Sequence, residues 1–590
     1  MNKVDDSNEL PENLDELFKL YKEISSKAIE TSKEIFPSMM PMQKIWQNMG
    51  EIANKAMADP DKLYQQQLDL YTDYTKVWGN ALGRYMGEEN KPLYTPDPKD
   101  KRFSDEDWNQ SIFFDFIKQS YLLTVDRINA IAEELAGSDP KTKEKYQFYA
   151  KQWINALSPT NFVFTNPEVL KKTIETKGEN LTHGFRNFLN DLDRNNSSLK
   201  IKSYNDKAFK LGENIASTKG SVILRNELME LIQYSPSTDK CYKTPLLLIP
   251  AWINKYYILD LSQNNSLVKW LVDKGYTVFI ISWVNPDKSL AKTRFEDYMT
   301  KGPLAALDAI EKATGEKEIT AMGYCLGGTL LSATLAYMAA KNDKRIKAAS
   351  LLTTMVDFSY VGEMSLFISE DQIDETDRHM KEVGYLDGSE MSGIFSLLRS
   401  NDLIWSFAVN NYLMGKEPMP FDILYWNADS TRLPAETHSF YLRKMYLRNV
   451  FAKSNGIKLN NTPIDVKKIK TPAYILSTKE DHIAPWQTTY KTNHLFSGDT
   501  NFVLSDSGHV AGVVNPPAKK RYCYWTNNIK PKSANEWLKK AQKHEGSWWD
   551  DWHKWNQKHS GQKVKSRIAG GGKLKEICPA PGEYVLVRSD

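Results

Sequence analysis

The chain has 590 residues, 41% of them hydrophobic, and carries 77 Lys and Arg against 74 Asp and Glu for a formal net charge of +3. That length and apolar share predict sizeable cores and more than one domain, and so balanced a charge, with scattered lysines, excludes a nucleic-acid binder. The four cysteines (Cys241, Cys325, Cys523 and Cys578) form neither a CxxC pair nor a zinc spacing, which fits a reducing cytoplasm better than a disulfide framework.

The first residues, Met1-Asn2-Lys3-Val4-Asp5-Asp6, are acidic and polar, so no secretory signal is expected, and no apolar run approaches the length of a transmembrane segment. Leu14, Leu17, Leu20, Ile24 and Ile29 then recur at helical spacing between Glu12 and Ile35. A second helical segment runs from Lys44 to Met86, broken near Asp59-Pro60, and Pro92, Pro96 and Pro98 mark a linker after it. Helical periodicity returns over Trp108 to Leu135 and Lys145 to Leu157. We assign residues 1–205 to a helical N-terminal domain. Such helices can form a bundle, pair with a second subunit or lie on an apolar surface, and the pattern does not choose.

After about Asp206 short apolar runs alternate with helical stretches, the mark of a mainly parallel α/β sheet. Strands are predicted at Leu246–Ile249, Thr277–Ile281, Ile319–Met322, Ala348–Thr353, Ala473–Leu476 and Phe502–Leu504. Between the fourth and fifth lies an aromatic-rich stretch of about residues 357–470, placed where such folds carry a cap. With the strand–turn–helix motif at Gly323–Gly328, the domain expected over 206–590 is an α/β-hydrolase fold with a cap insertion. Gly570-Gly571-Gly572-Lys573 lacks a strand and a Walker spacing around it, so it reads as a flexible linker rather than a phosphate loop.

One stretch carries chemistry. Gly323-Tyr324-Cys325-Leu326-Gly327-Gly328 follows a predicted strand and opens a helical run, the strand–turn–helix context of a nucleophile elbow with cysteine in the usual place of serine. A cysteine nucleophile needs a base and the base an orienting acid. In the chain order of this fold they come from loops after late strands, which selects Asp481 in Glu480-Asp481-His482 and His509 in Gly508-His509-Val510. Glu480 and Asp357 are the rival acids. The oxyanion hole is assigned to the backbone N–H groups of Leu326, next after the nucleophile, and Ile253, in the loop after the first strand of the parallel series. Asp481-His482 lacks further ligands at metal spacing, so no metal site is expected. His482 is either a substrate contact or a neighbour packed beside the acid.

These motifs, with Asp100-Lys101-Arg102-Phe103, Ser158-Pro159-Thr160-Asn161-Phe162, Ile253-Asn254-Lys255-Tyr256-Tyr257 and Gly546-Ser547-Trp548-Trp549, resemble the polyhydroxyalkanoate synthases from about residue 90 to about 555. Size and N-terminal region are similar to the class I enzymes. The resemblance implies polymerisation of (R)-3-hydroxyacyl-CoA thioesters with release of coenzyme A, and places Cys325 as nucleophile, His509 as base and Asp481 as acid. It also implies a homodimer, a cytoplasmic location on polyester granules with possible granule-associated protein partners, and no cofactor. Trp426 matches a tryptophan that the family links to activity or subunit association, and its simplest reading is an aromatic packing residue. Two other readings remain: a cysteine-dependent thioesterase or esterase, which would release free acid, and a non-catalytic granule-coating protein, which would leave the ordered Cys, Asp and His loops unexplained.

Overall fold

The computed structural model describes residues 50, 54, 55, 58, 60–194 and 200–588. The chain divides into two compact units, residues 1–202 with 399–418 and residues 203–398 with 419–590. The helix expected between Glu12 and Ile35, and most of the second segment ahead of Pro60, lie outside the described residues.

The first unit is helical: α1 (Pro60–Tyr85), α2 (Ile112–Ala136), α3 (Pro140–Ala156), α4 (Pro167–Glu175) and α5 (Glu179–Arg194). Their starts are written in the sequence. Side-chain oxygens of Ser111, Asp139 and Asn166 accept backbone N–H groups of Phe114, Thr142 and Glu168, and proline opens both α3 and α4. Phe103, Trp108, Phe114, Tyr121 and Ile154 form the buried centre. Residues 399–418, expected within the cap, pack with this unit instead. Asn155 Nδ2 donates to Ser400 Oγ at 3.0 Å and Asn180 Nδ2 to the Leu413 carbonyl at 2.7 Å. A Cβ on Gly184 would overlap the Tyr412 carbonyl, so glycine is what permits that approach. Periodicity describes one segment at a time and is blind to such a partner more than two hundred residues away.

The second unit is built on an eleven-stranded sheet. In chain order its strands are β1 (Gly220–Arg225), β2 (Met229–Tyr234), β3 (Leu246–Ile249), β4 (Val278–Trp283), β5 (Ile319–Tyr324), β6 (Ile346–Leu352), β7 (Ala473–Thr478), β8 (Thr500–Ser505), β9 (Cys523–Thr526), β10 (Gln542–Glu545) and β11 (Cys578–Pro579). Their spatial order is β10-β9-β8-β7-β6-β5-β3-β4-β2-β1-β11. The six central strands, β8 to β4 in that order, are parallel, and the flanking pairs are antiparallel. The parallel strands are those the sequence predicts, because strands covered on both faces read as continuous apolar runs. Strand β2 escaped because Glu230 and Gln233 interrupt its pattern, yet both are buried. Glu230 accepts the backbone N–H groups of Glu583 and Tyr584 at 3.0 and 3.1 Å and pairs with Arg225 at 2.6 Å.

Those contacts also correct the reading of Gly570–Lys573 as a flexible linker. The Ile577 N–H donates to the Val222 carbonyl at 2.8 Å and the Ala580 N–H to that of Gly220 at 2.9 Å, so the tail closes the sheet edge as β11. A Cβ on Gly572 would overlap the Ala313 carbonyl, so the glycines serve close packing rather than freedom of motion.

Candidate active site

Three loops at the C-terminal ends of neighbouring parallel strands carry the site. Helix α6 (Leu326–Ala340) follows β5 so abruptly that Cys325 adopts φ 53° and ψ −122°, a conformation costly for any residue with a Cβ. The turn closes only because of its glycines. A Cβ at Gly327 would overlap the Ile249 carbonyl, and one at Gly323 would come within 2.5 Å of the Gly328 Cα. Hydrogen bonds hold the bend: Cys325 N–H to the Leu352 carbonyl at 2.9 Å, and Gly328 N–H to the Cys325 carbonyl at 2.9 Å.

Asp481 leaves β7 and His509 leaves β8, and His509 Nδ1 meets Asp481 Oδ2 at 2.8 Å with both side chains buried. The carboxylate is fixed from three more sides, by the N–H groups of Ile483 and Ala484 at 2.9 and 2.8 Å and by Thr478 Oγ1 at 3.1 Å. Although burial would raise its pKa, the His509 charge and these hydrogen bonds hold Asp481 below its ordinary value. His509 moves the other way. Burial would lower it, but the charges of Asp481 and Cys325 and the hydrogen bond to Asp481 outweigh that and raise it from 6.5 to about 10. The pair therefore favours an imidazolium at neutral pH, the partner that a cysteine thiolate requires.

The rival acids are turned elsewhere. Asp357 accepts the Ser359 N–H at 2.8 Å and lies 3.7 Å from Lys491. Glu480, one residue earlier on the loop, is exposed, whereas Asp481 is buried against His509.

Over Cys325 lies a cavity with ≈ 680 Å³ of empty space, part of it open to solvent. Cys325, Leu326 and Ile253 all line it. As the first residue of α6, Leu326 presents an N–H that no earlier turn of the helix can take. The loop bearing Ile253 is held by Trp283 Nε1, which donates to the Pro250 carbonyl at 2.8 Å. The far wall comes from the expected cap: Met391 and Phe395 from α8 (Gly388–Leu398), which follows α7 (Glu370–Val383), and Thr437, His438 and Tyr441 from α10 (Ala435–Tyr441), with Leu442 and Tyr446 beyond it.

Of the residues singled out in the sequence, Asp481, His509, His482 and Trp426 are not part of this lining. His482 is half-buried beside Asp481, while its neighbours Ile483 and Ala484 reach the cavity. Trp426, on α9 (Asp422–Ala428), is buried in the main core, where its Nε1 donates to the Lys255 carbonyl at 2.7 Å. Sequence reasoning missed the supports of the histidine loop. On α11 (Trp549–Gln557) and just before it, Trp548 Nε1 donates to the Gly512 carbonyl at 3.1 Å and Trp549 Nε1 to that of Val513 at 2.9 Å. Trp548-Trp549 was visible as a motif, but nothing local to it names the loop it holds.

Such an arrangement can attack an activated acyl carbon, carry the acyl group on sulfur and pass it to a nucleophile whose proton the imidazole takes. Comparison with known proteins identifies the family and the fold. The family model described as "Poly-beta-hydroxybutyrate polymerase (PhaC) N-terminus" matches residues 99–271, and that for the "alpha/beta hydrolase fold" matches residues 244–516. A poly(3-hydroxyalkanoate) polymerase of Methylorubrum extorquens is 45% identical over 93% of this chain and 91% of its own length. The poly(3-hydroxyalkanoate) polymerase subunit of Rhizobium etli is 44% identical over 93% of the chain and 87% of its own, and that of Cupriavidus necator 38% over 90% and 89%.

Proposed function

The chain belongs to the poly(3-hydroxyalkanoate) polymerases, and from that membership we propose that it joins (R)-3-hydroxyacyl groups from their coenzyme A thioesters into a polyester through an acyl group carried on Cys325. The observation that carries the mechanism is the buried His509–Asp481 pair interacting with Cys325, whose own side of the site opens on a largely apolar cavity.

Protons balance through the cycle. The Cys325 thiolate attacks the thioester carbonyl, the oxyanion rests on the N–H groups of Leu326 and Ile253, and the sulfur of coenzyme A departs with the proton of the His509 imidazolium. Each such donor contributes roughly 3–4 kcal/mol at the tetrahedral stage. Acylation also removes the negative charge on Cys325 that helped raise His509. The imidazole is then neutral beside a thioester and can accept the proton of an incoming hydroxyl. Attack by that oxygen forms the ester, expels the Cys325 thiolate and restores the ion pair.

Cysteine suits this sequence. Exchange of one thioester for another is nearly thermoneutral, so the acyl group stays activated, whereas serine would trap it as an ester. The reaction is redox-neutral and calls for no cofactor. Water is the competing acceptor, and the apolar cap wall serves to keep it out. A growing chain insoluble in water supports a place on the surface of polyester granules in the cytoplasm, alongside granule-associated proteins. Homodimerisation belongs to the same proposal. Among the described residues no helix is long and apolar enough to cross a membrane.

The test is a quenched reaction with labelled 3-hydroxybutyryl-CoA. Label should appear on the peptide bearing Cys325, and Cys325→Ala should release no coenzyme A and yield no polymer. Turnover by that variant, or free 3-hydroxy acid as the main wild-type product, would overturn the proposal.

A further inference from the structure

The cavity over Cys325 is walled mainly by carbon, with Met364, Met391, Phe395, Leu433 and Leu442 facing it. His438 is a titratable polar residue of that wall without a task in the cycle above. It lies on α10, lines the cavity, and is only 5% exposed. The groups that act on it are its burial and the charge of Asp377, and neither is a hydrogen bond. Asp377 itself is engaged by Arg443 at 2.7 Å and by Ser439 Oγ at 2.9 Å. Burial takes the imidazole down to about 4, so at neutral pH it is uncharged, with one ring nitrogen a donor and the other an acceptor. Another polar group of the lining is unsatisfied. Thr353 Oγ1 is buried without a hydrogen-bond partner, on a residue held at φ 44°, where a β-branched side chain is strained. Polar groups left unsatisfied in an apolar enclosure cost free energy unless a ligand completes them.

We propose that His438 reads the 3-hydroxyl of the acyl unit bound over Cys325 and thereby fixes which hand of that carbon the site accepts. The inference rests on Cys325 as the acyl carrier. A hydroxyl both donates and accepts, so it can pair with whichever nitrogen of a neutral imidazole faces it. With the carbonyl carbon at the sulfur and its oxygen at Leu326 and Ile253, His438 supplies the third point of attachment that distinguishes mirror images. The inverted carbon would turn its hydroxyl toward methionine and leucine side chains and lose that bond.

Binding in a Cys325→Ala background, where the ligand stays intact, tests this. Calorimetry should give (R)-3-hydroxybutyryl-CoA at least about ten-fold tighter binding than either its (S) form or butyryl-CoA, since sites built to bond a hydroxyl reject analogues lacking it. Adding His438→Phe should bring the three ligands within about two-fold of one another, while His438→Gln, which still donates and accepts, should keep most of the preference. Should the phenyl ring not be accommodated, His438→Leu carries the same expectation. Equal binding of the three ligands in the parent, an intact preference in the apolar variants, or an equal weakening of all three ligands would overturn the proposal. The labelled adduct on wild-type Cys325 tests the underlying reading separately, so an adduct together with unchanged preference would sink the role of His438 alone.

Discussion

The floor and the far wall of the cavity are built on opposite principles. The floor is Cys325, with which the buried Asp481–His509 pair interacts; all three hang from the ends of parallel strands, and each loop is tied by backbone hydrogen bonds to its neighbours. The wall presents Met391, Phe395, Tyr441 and Leu442 from short helices, and its contacts with the cavity are mostly apolar. Directional bonds hold a proton-transfer chain to within fractions of an ångström, as its chemistry demands. Non-directional packing instead lets a wall exclude water while it receives a chain that lengthens. Bond-making geometry and chain accommodation are thus assigned to different parts of one unit.

The largest effect that would sharpen this contrast lies on the floor. Asp481→Asn should lower kcat by on the order of 10⁴, as when another carboxylate that orients a catalytic imidazole is replaced by its amide. It should also lower the pKa of His509, read by NMR of the imidazole, because the charge that most strongly raises it is gone. A kcat within a few-fold of wild type would mean that the floor is not the rigid relay described.

Next in size is the pH dependence of stability. His509 is raised from 6.5 to about 10, so its contribution is fully present below 6.5 and is lost as pH rises toward 10. Asp481 is lowered from 3.8, so its contribution is present above that value and is lost as pH falls through the lowered pKa. Thermal unfolding of His509→Gln should therefore lack part of the wild-type decline in Tm between pH 6.5 and 10. Identical slopes would remove the ion pair from the account.

The smallest effects concern support. Trp549→Phe keeps the ring but loses the bond to the Val513 carbonyl, and should cost about 1 kcal/mol of stability in denaturant titrations. Its kcat should fall too, because that carbonyl belongs to the loop of His509. Trp426→Phe removes a similar bond, to the Lys255 carbonyl, and should also cost about 1 kcal/mol. Since Trp426 does not line the cavity, the ratio of its kcat loss to its stability loss should be smaller than for Trp549→Phe. The reverse order would show that the core beneath the wall matters to chemistry more than the loop supports do.

What could be read from the chain alone follows from locality. The elbow is six consecutive residues whose glycines answer a local steric demand, and the parallel strands are continuous apolar runs, so Cys325, its helix and the sheet centre were legible. Asp481 and His509 were reachable because strand order places their loops side by side. The place of Asp481 after a late strand already favoured it over Asp357, but the bond that joins it to His509, 28 residues on, is a contact that periodicity cannot contain. Likewise only the fold showed that residues 399–418 join the helical unit, that the glycine-rich tail completes a sheet, and that His438 faces the cavity over Cys325. Sequence determines what each segment must be, because propensity and burial act over a few residues. Which segments meet is decided by long-range complementarity, and there the site acquired its acid, its supports and its wall.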